Sequence, residues 1–160
     1  MRKATHDSNR KEPSAIEQIG IWAVLAFAFN LAWEVAHVRL YALWVESDGS
    51  QIARSILHCS SGDVAIALTA YALAGFALAR ADWLRTRPWA GCAIVVVASI
   101  TFTAFSEWYN VYRVGAWSYG SAMPTIFGLG LSPLMQWLVI PPALVASSRF
   151  LLAFIAARKS

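Results

Sequence analysis

Four long apolar segments, separated by shorter polar stretches, dominate the pattern of the chain. They cover about residues 19–44, 54–79, 89–109 and 132–155. A bilayer core about 30 Å thick is crossed by about 20 apolar residues in a helix. Inside a membrane every backbone group must be paired within the protein, and these segments lack the alternation typical of barrel strands. The pattern therefore predicts an all-α integral membrane protein built as a bundle of four transmembrane helices.

The composition leaves little room for a soluble domain. The chain has 160 residues, of which 58% are hydrophobic and only 14% charged, whereas soluble domains are nearer one quarter charged. We expect a mobile cytoplasmic tail over residues 1–15 and a single transmembrane domain over residues 16–160. Pro141 and Pro142 fall inside the fourth segment and are expected to kink it or end it early.

The basic residues are distributed unevenly between the two sides of the predicted bundle. Ten of the thirteen lie in the N-terminal tail, the second connection and the C-terminal end: Arg2, Lys3, Arg10, Lys11, Arg80, Arg85, Arg87, Arg149, Arg158 and Lys159. The other side carries only Arg39, Arg54 and Arg113. The positive-inside rule then places both termini in the cytoplasm. This indicates a multi-pass protein of a bacterial-type inner or plasma membrane. The net charge of +4 is explained by the basic residues that flank the membrane, so it does not imply binding to nucleic acid.

The two cysteines are predicted to be free thiols. Cys59 lies near one end of the second segment and Cys92 near the opposite end of the third. A disulfide needs Cα atoms within about 7 Å, and most of the membrane should separate these two.

Polar residues inside the apolar segments carry the candidate chemistry. Asn30, Glu34 and His37 follow the i, i+4, i+7 spacing of one helix face, and the third segment repeats this spacing with Thr103, Glu107 and Asn110. The second segment contributes His58 and Asp63. Counted at about 1.5 Å per residue, the three carboxylates lie at a similar depth. A carboxylate within a membrane is a functional-site candidate, although structural acids that join helices, or solvated groups near the headgroups, are the alternative.

A partial repeat relates the first and third segments. Phe, Glu, Val and Trp recur with the same spacing, at Phe29, Glu34, Val38 and Trp44 and at Phe102, Glu107, Val111 and Trp117. The match suggests two repeated helix hairpins, as in membrane proteins with parallel repeats. In that arrangement Glu34 and Glu107 face one pocket.

The main functional hypothesis is a membrane-embedded enzyme with acid–base chemistry and no cofactor. Clustered carboxylates and a histidine suit isomerisation, cyclisation or hydration of an isoprenoid- or sterol-like lipid in the outer half of the bilayer. The expected catalytic residues are Glu34, His37, Glu107 and Asp63. The expected substrate contacts are Asn30, His58, Trp108, Tyr109, Asn110 and Trp117. Membrane lipids and a lipophilic substrate are the expected partners, with a homodimer as one option.

Two alternatives stay open. The Glu34-x-x-His37 spacing is typical of carboxylate-bridged metal bundles, so iron or zinc could be held by Glu34, His37, His58, Asp63 and Glu107. Such sites usually contain a second Glu-x-x-His, and here Asn110 takes the place of that histidine. The other alternative is a small proton or solute carrier or an accessory membrane subunit, although the polar groups stop before the cytoplasmic half.

Overall fold

The computed structural model describes residues 13–158, and four long helices form most of it. They are α1 (Ala15–His37), α2 (Gly49–Ala77), α3 (Pro88–Trp108) and α4 (Leu131–Arg158). Each is long and apolar enough to cross a membrane. The prediction of a helical protein with four apolar helices of membrane-spanning length is confirmed. Most of the predicted N-terminal tail, residues 1–12, lies outside the described residues.

Capping boxes set the starts of the first two helices. Ser14 accepts a hydrogen bond from the backbone N–H of Glu17, whose carboxylate accepts one in return from the Ser14 N–H. Asp48 and Gln51 form the same reciprocal pair before α2. Because such caps satisfy backbone donors that a helix leaves unpaired, α2 begins at Gly49, before the apolar run expected from residue 54.

The helices pack as a ring in which each neighbour runs antiparallel. The Trp22 indole near the start of α1 donates to the Ala67 carbonyl in the second half of α2. His37 at the end of α1 contacts Ser132 at the start of α4. α3 packs between α2 and α4, so α1 and α3 lie diagonally across the bundle. We call the end with Ala15 and Arg158 the terminal end, and the opposite end the distal end.

An aromatic cluster fills the terminal half. The rings of Trp22, Tyr71 and Trp83 lie 4.9 to 5.8 Å apart between centroids. Trp83 comes from a one-turn helix, Trp83–Thr86, in the α2–α3 connection, and its indole donates to the Tyr71 carbonyl at 3.1 Å. Gly91 provides the space for this ring, because a Cβ there would overlap it. The indole donors are thus satisfied inside the bundle.

Two connections cover the distal end and are joined to each other. Tyr41 and Tyr119 form an isolated antiparallel bridge, supported by the Ala42 N–H to Ser118 carbonyl and Gly120 N–H to Leu40 carbonyl hydrogen bonds. Strands β1 (Thr125–Ile126) and β2 (Leu129–Gly130) form a hairpin before α4.

This pairing corrects two of the predicted helix boundaries. The first span was expected to continue to residue 44, but α1 ends at His37 and a 3₁₀ turn ends at Leu40. The chain then becomes extended at Tyr41 to reach Tyr119. The third span was expected to end at residue 109, but a π-helical turn, Tyr109–Val114, prolongs α3 until left-handed Gly115 ends it.

The expectation that Pro141 and Pro142 end the fourth helix early was wrong, because α4 continues through both to Arg158. Proline is tolerated in membrane helices when neighbouring helices pack around it, and Pro141 is fully buried.

Replacing Gly91 by alanine tests the aromatic cluster. The new methyl group would overlap the Trp83 ring, and overpacking of this kind costs about 1–3 kcal/mol. We expect Gly91→Ala to lower the thermal unfolding temperature of the detergent-purified protein. Gly20→Ala is the matched control, because a Cβ at Gly20 meets nothing within 4 Å. Equal behaviour of the two variants would contradict the packing described here.

Candidate functional site

A large cavity occupies the distal half of the bundle, with a volume of about 1320 Å³. All four helices and both distal connections contribute to its wall. The residues of α1 and α4 that line it are buried, whereas several lining residues of α2 and α3 are exposed. The cavity therefore opens on the side of the bundle between α2 and α3, and also at the distal end, where exposed residues of the connections line it: Glu46, Gly115, Ala116 and Ser118. Its titratable wall residues include Glu34, His37, His58, Asp63 and Glu107.

The first polar group of the cavity joins α1 to α4. The Glu34 carboxylate lies 3.0 Å from Nε2 of His37, one helical turn later, and both side chains are buried. The other ring nitrogen, Nδ1, lies 2.9 Å from the Ser132 hydroxyl. When neutral His37 donates from Nε2 to Glu34, its Nδ1 accepts the hydroxyl proton of Ser132. Both ring nitrogens are therefore engaged, which fixes the orientation of the imidazole.

The second polar group surrounds Glu107 on α3. The Tyr119 hydroxyl donates to Oε2 at 2.6 Å, and the Tyr41 hydroxyl lies 3.4 Å from Oε1. Burial, followed by the proximity of the Glu107 carboxylate, raises the pKa of the Tyr41 phenol. Burial and the hydrogen bond to Glu107 raise the pKa of Tyr119. Both phenols consequently remain neutral hydrogen-bond donors at physiological pH.

A third polar group lies further from the distal end than the first and links three helices. The Gln136 amide nitrogen on α4 donates to Oδ1 of Asn30 on α1 and to Oδ2 of Asp63 on α2, both at 2.7 Å. The Asn30 amide in turn donates to the Ala26 carbonyl. Asp63 and Gln136 line the cavity, while Asn30 lies behind them. Asp63, expected to be catalytic, thus has a structural partner on another helix.

Two buried hydrogen-bond donors of the cavity wall have no partner within residues 13–158. They are the Thr103 hydroxyl, one turn before Glu107, and the Trp117 indole N–H, which lies near the Glu107 carboxylate. A buried polar group without a partner costs free energy. These two donors are therefore the positions in the cavity wall where the hydrogen bonding is unsatisfied.

The structure gathers most of the residues singled out in the sequence. Glu34, His37, Asp63 and Glu107 all line the one cavity, together with His58, Asn110 and Trp117. Glu34 and Glu107 share the cavity although their helices lie diagonally across the ring. The amide of Asn110, however, donates to the carbonyl of Ser106 in its own helix.

The structure does not bring two of the expected substrate contacts to the cavity. Trp108 and Tyr109 are 43% and 46% exposed and do not line it. They pack instead with Phe105 on the outer surface, and Arg113 lies over the Trp108 ring. An aromatic residue next to Glu107 in sequence points away from it because neighbouring helical positions differ by about 100°.

The metal alternative gains no support from the geometry. Within the described part of the chain, no three His, Cys, Asp or Glu side chains come together as metal ligands would. His37 is already engaged on both nitrogens, and Asp63 is held by Gln136. The free thiols predicted for Cys59 and Cys92 are confirmed.

Several site residues escaped the sequence analysis. Ser132 and Gln136 are spaced i, i+4 on the fourth segment, which is the spacing of one helix face. Tyr41 continues the polar stripe of the first segment one turn beyond His37. Both patterns are visible in the sequence. Tyr119 and its bond to Glu107 depend on the path of the distal connection, which no local spacing reveals.

The repeat predicted between the first and third segments is only partly reflected in the structure. Glu34 and Glu107 both face the cavity, but Trp117 lines it whereas Trp44 is exposed and packs under Arg39. Duplication of the hairpins stays a prediction. The chain matches no family model, no curated protein and no solved structure.

Replacing Gln136 by leucine tests the deep polar group. The variant leaves the buried Asn30 and the half-buried Asp63 without their shared donor, and an unsatisfied buried group such as Asn30 costs about 1–3 kcal/mol. We expect a lower thermal unfolding temperature for Gln136→Leu, measured in detergent. Met135→Leu, at the neighbouring exposed position, is the control and should unfold like the wild type. Unchanged stability of Gln136→Leu would show that the hydrogen bonds do not hold the helices together.

Proposed function

We propose that the protein is a membrane-embedded enzyme that uses acid–base chemistry on a lipophilic substrate, with double-bond isomerisation as the best-supported reaction. The observation that carries this proposal is the pairing of two different polar groups on one cavity. Glu34 and His37 form a hydrogen-bonded unit on α1, and Glu107, on the diagonally opposite helix α3, contacts the phenols of Tyr41 and Tyr119 from the distal connections. Apolar side chains such as Ile66, Leu73 and Phe102 line the same space and suit a hydrocarbon substrate.

The Glu34–His37 unit is suited to move a proton in both directions. In the proposed reaction the Glu34 carboxyl starts protonated and gives its proton to one carbon of a double bond, forming a C–H bond and a carbocation, while His37 holds the carboxyl in place through Nε2. The resulting Glu34 carboxylate then removes a proton from the carbon on the other side of the cationic centre, and the double bond forms in the new position. The enzyme returns to its starting state, so the cycle needs no oxidant, reductant or cofactor.

Glu107 has the complementary role of a fixed negative group. The 2.6 Å hydrogen bond from Tyr119 holds its carboxylate in place, with the Tyr41 hydroxyl 3.4 Å from the other oxygen, so it can orient the substrate and lower the energy of a cationic intermediate. Aromatic faces in the wall, including Phe102 and Trp137, add to this stabilisation. Preorganised charge of this kind is a major source of catalytic power in sites that exclude water.

The contacts of His37 also resemble those of a serine–histidine–acid triad, but they favour an orienting role for Ser132. Glu34 and His37 line the cavity, whereas Ser132 does not. A hydroxyl behind the imidazole has no access to a substrate in the cavity. It can, however, fix the ring through Nδ1.

A carrier is less well supported than an enzyme. Transport would require a path from the cavity to the terminal end. Within residues 13–158, Trp22, Tyr71 and Trp83 fill the interior of that half, and the two tryptophans are fully buried. The cavity is thus a site with one closed end.

The cavity is proposed to lie in the outer half of the bilayer. The terminal end of the bundle bears most of the basic residues, and the positive-inside rule places such an end in the cytoplasm. The distal end, where the cavity lies, would then face outward.

Single cysteines test this orientation in a Cys59→Ala, Cys92→Ala background. We expect Ser121→Cys, at an exposed distal position, to react with a membrane-impermeant maleimide in intact cells. Ala81→Cys, at an exposed terminal position, should react only after the cells are opened. The reverse labelling pattern would move the cavity to the inner half.

Exchange with solvent deuterium tests the acid–base unit. Protein in lipid nanodiscs is incubated in D₂O with a non-polar lipid extract, and incorporation of deuterium into a lipophile is followed by mass spectrometry. Glu34→Gln and His37→Gln should each lower the rate at least about a hundredfold, the scale of general acid–base catalysis. The double variant should lose little more, because residues that share one step are not additive.

Two controls make the result specific. Asp82→Asn removes an exposed carboxylate far from the cavity and should leave the rate unchanged. Ser132→Ala should keep most of the rate, whereas a nucleophilic serine would lose it. Wild-type protein that incorporates no deuterium into any lipophile would refute the proposed function.

A further inference from the structure

We propose that the cavity binds a lipophilic alcohol, which enters from the bilayer between α2 and α3 and places its hydroxyl group against Thr103, Trp117 and Glu107. This inference deepens the proposed function and rests on it for the identity of the substrate. Its physical basis, however, lies in the unpaired groups of the wall, and binding can be measured without turnover.

The polar end of the ligand is defined by two donors and one acceptor. The Thr103 hydroxyl and the Trp117 N–H are buried donors that line the cavity and lack partners among the described residues. Oε2 of Glu107 is held tightly by Tyr119 at 2.6 Å, whereas the Tyr41 hydroxyl lies 3.4 Å from Oε1 and the Trp117 N–H lies near the same carboxylate. An ordinary O–H···O bond is about 2.5–3.0 Å long, so Oε1 can still accept a strong hydrogen bond.

An alcohol satisfies all three groups at once. Its oxygen can accept from Thr103 and Trp117, while its O–H donates to Oε1 of Glu107. A ketone or an ether would present only lone pairs to the Glu107 carboxylate, and an anionic headgroup would be repelled by it. The chemistry of the wall therefore selects a neutral hydroxyl group.

The apolar part of the ligand is defined by the open side of the cavity. Along α2, Gly62, Ala65, Thr69 and Leu73 both line the cavity and are exposed, and Phe102 does the same on α3. From Gly62 to Leu73 the helix rises about 16 Å at 1.5 Å per residue, enough for a branched hydrocarbon chain or a fused ring system. This stretch lies within α2, which is long and apolar enough to cross a membrane, so in the proposed membrane setting this side of the opening faces hydrocarbon.

Three probes with one carbon skeleton test the proposal. They are tritiated geranylgeraniol, its methyl ether and the corresponding hydrocarbon without oxygen. Binding is measured in nanodiscs with the Glu34→Gln chain, which should bind without turnover. The alcohol should bind at least about twentyfold more tightly than the hydrocarbon, since each hydrogen bond is worth about fivefold. The ether, which can accept but cannot donate to Glu107, should fall between the two.

Variants of α3 identify the groups that bind the oxygen. Thr103→Val should weaken alcohol binding about fivefold and leave hydrocarbon binding unchanged. Thr101→Val is the matched control, because the Thr101 hydroxyl is exposed and already bonded to the Val97 carbonyl. Equal affinities for the alcohol and the hydrocarbon, or a Thr103→Val effect of the same size on both, would overturn the proposal.

Bulky substitutions test the route of entry. Ala98→Trp should obstruct the cavity and lower the association rate of geranylgeraniol at least about tenfold. Val97→Trp, at an exposed position that does not line the cavity, should leave it unchanged. Equal rates would overturn lateral entry. Selective binding without deuterium exchange by the wild type would refute only the enzymatic function, whereas exchange without selectivity for the hydroxyl would refute only this inference.

Discussion

The carboxamide of Gln136 connects three of the four helices at the level between the filled terminal half of the bundle and the distal half that contains the cavity. Its amide nitrogen bonds Asn30 and Asp63 at 2.7 Å, and in a membrane such polar contacts replace the hydrophobic driving force that water would supply. On the terminal side of this link the interior is filled by Trp22, Tyr71 and Trp83. On the distal side the helices enclose the cavity. A fixed junction lets one half remain open without loss of helix register.

The distal half, which contains the cavity, is also stabilised by the two connections between the helices. The bridge between Tyr41 and Tyr119 joins the two distal connections, and both tyrosines also bond Glu107. The backbone of these connections therefore crosses the distal end of the bundle, while their tyrosine side chains orient a carboxylate inside it. The early end of α1 at His37 allows this pairing, because a continuous helix to Trp44 would carry Tyr41 away from Tyr119.

The sequence was sufficient to predict the four helices and the polar stripes on α1 and α3, because both depend on composition and helical spacing. It also placed Glu34 beside His37, a consequence of their i, i+3 relation. It failed at contacts between distant segments. Ser132 and Tyr119 reach His37 and Glu107 only through the bundle arrangement and the distal connection, and Trp108 was misplaced because adjacency in sequence is not adjacency on a helix face.

The two glutamates differ in ways that suit different tasks. Glu34 pairs with an imidazole, a group able to give and take a proton near neutral pH. Glu107 pairs with two phenols whose raised pKa values keep them as donors, so its partners position it without exchanging protons. A carboxylate fixed in this way can hold a ligand, whereas a carboxylate linked to histidine can carry out chemistry on it. If the proposed function holds, placing the two on diagonal helices sets the bound end of the ligand apart from its reacting end, and this separation matches a molecule that is polar at one end and unsaturated further along its chain.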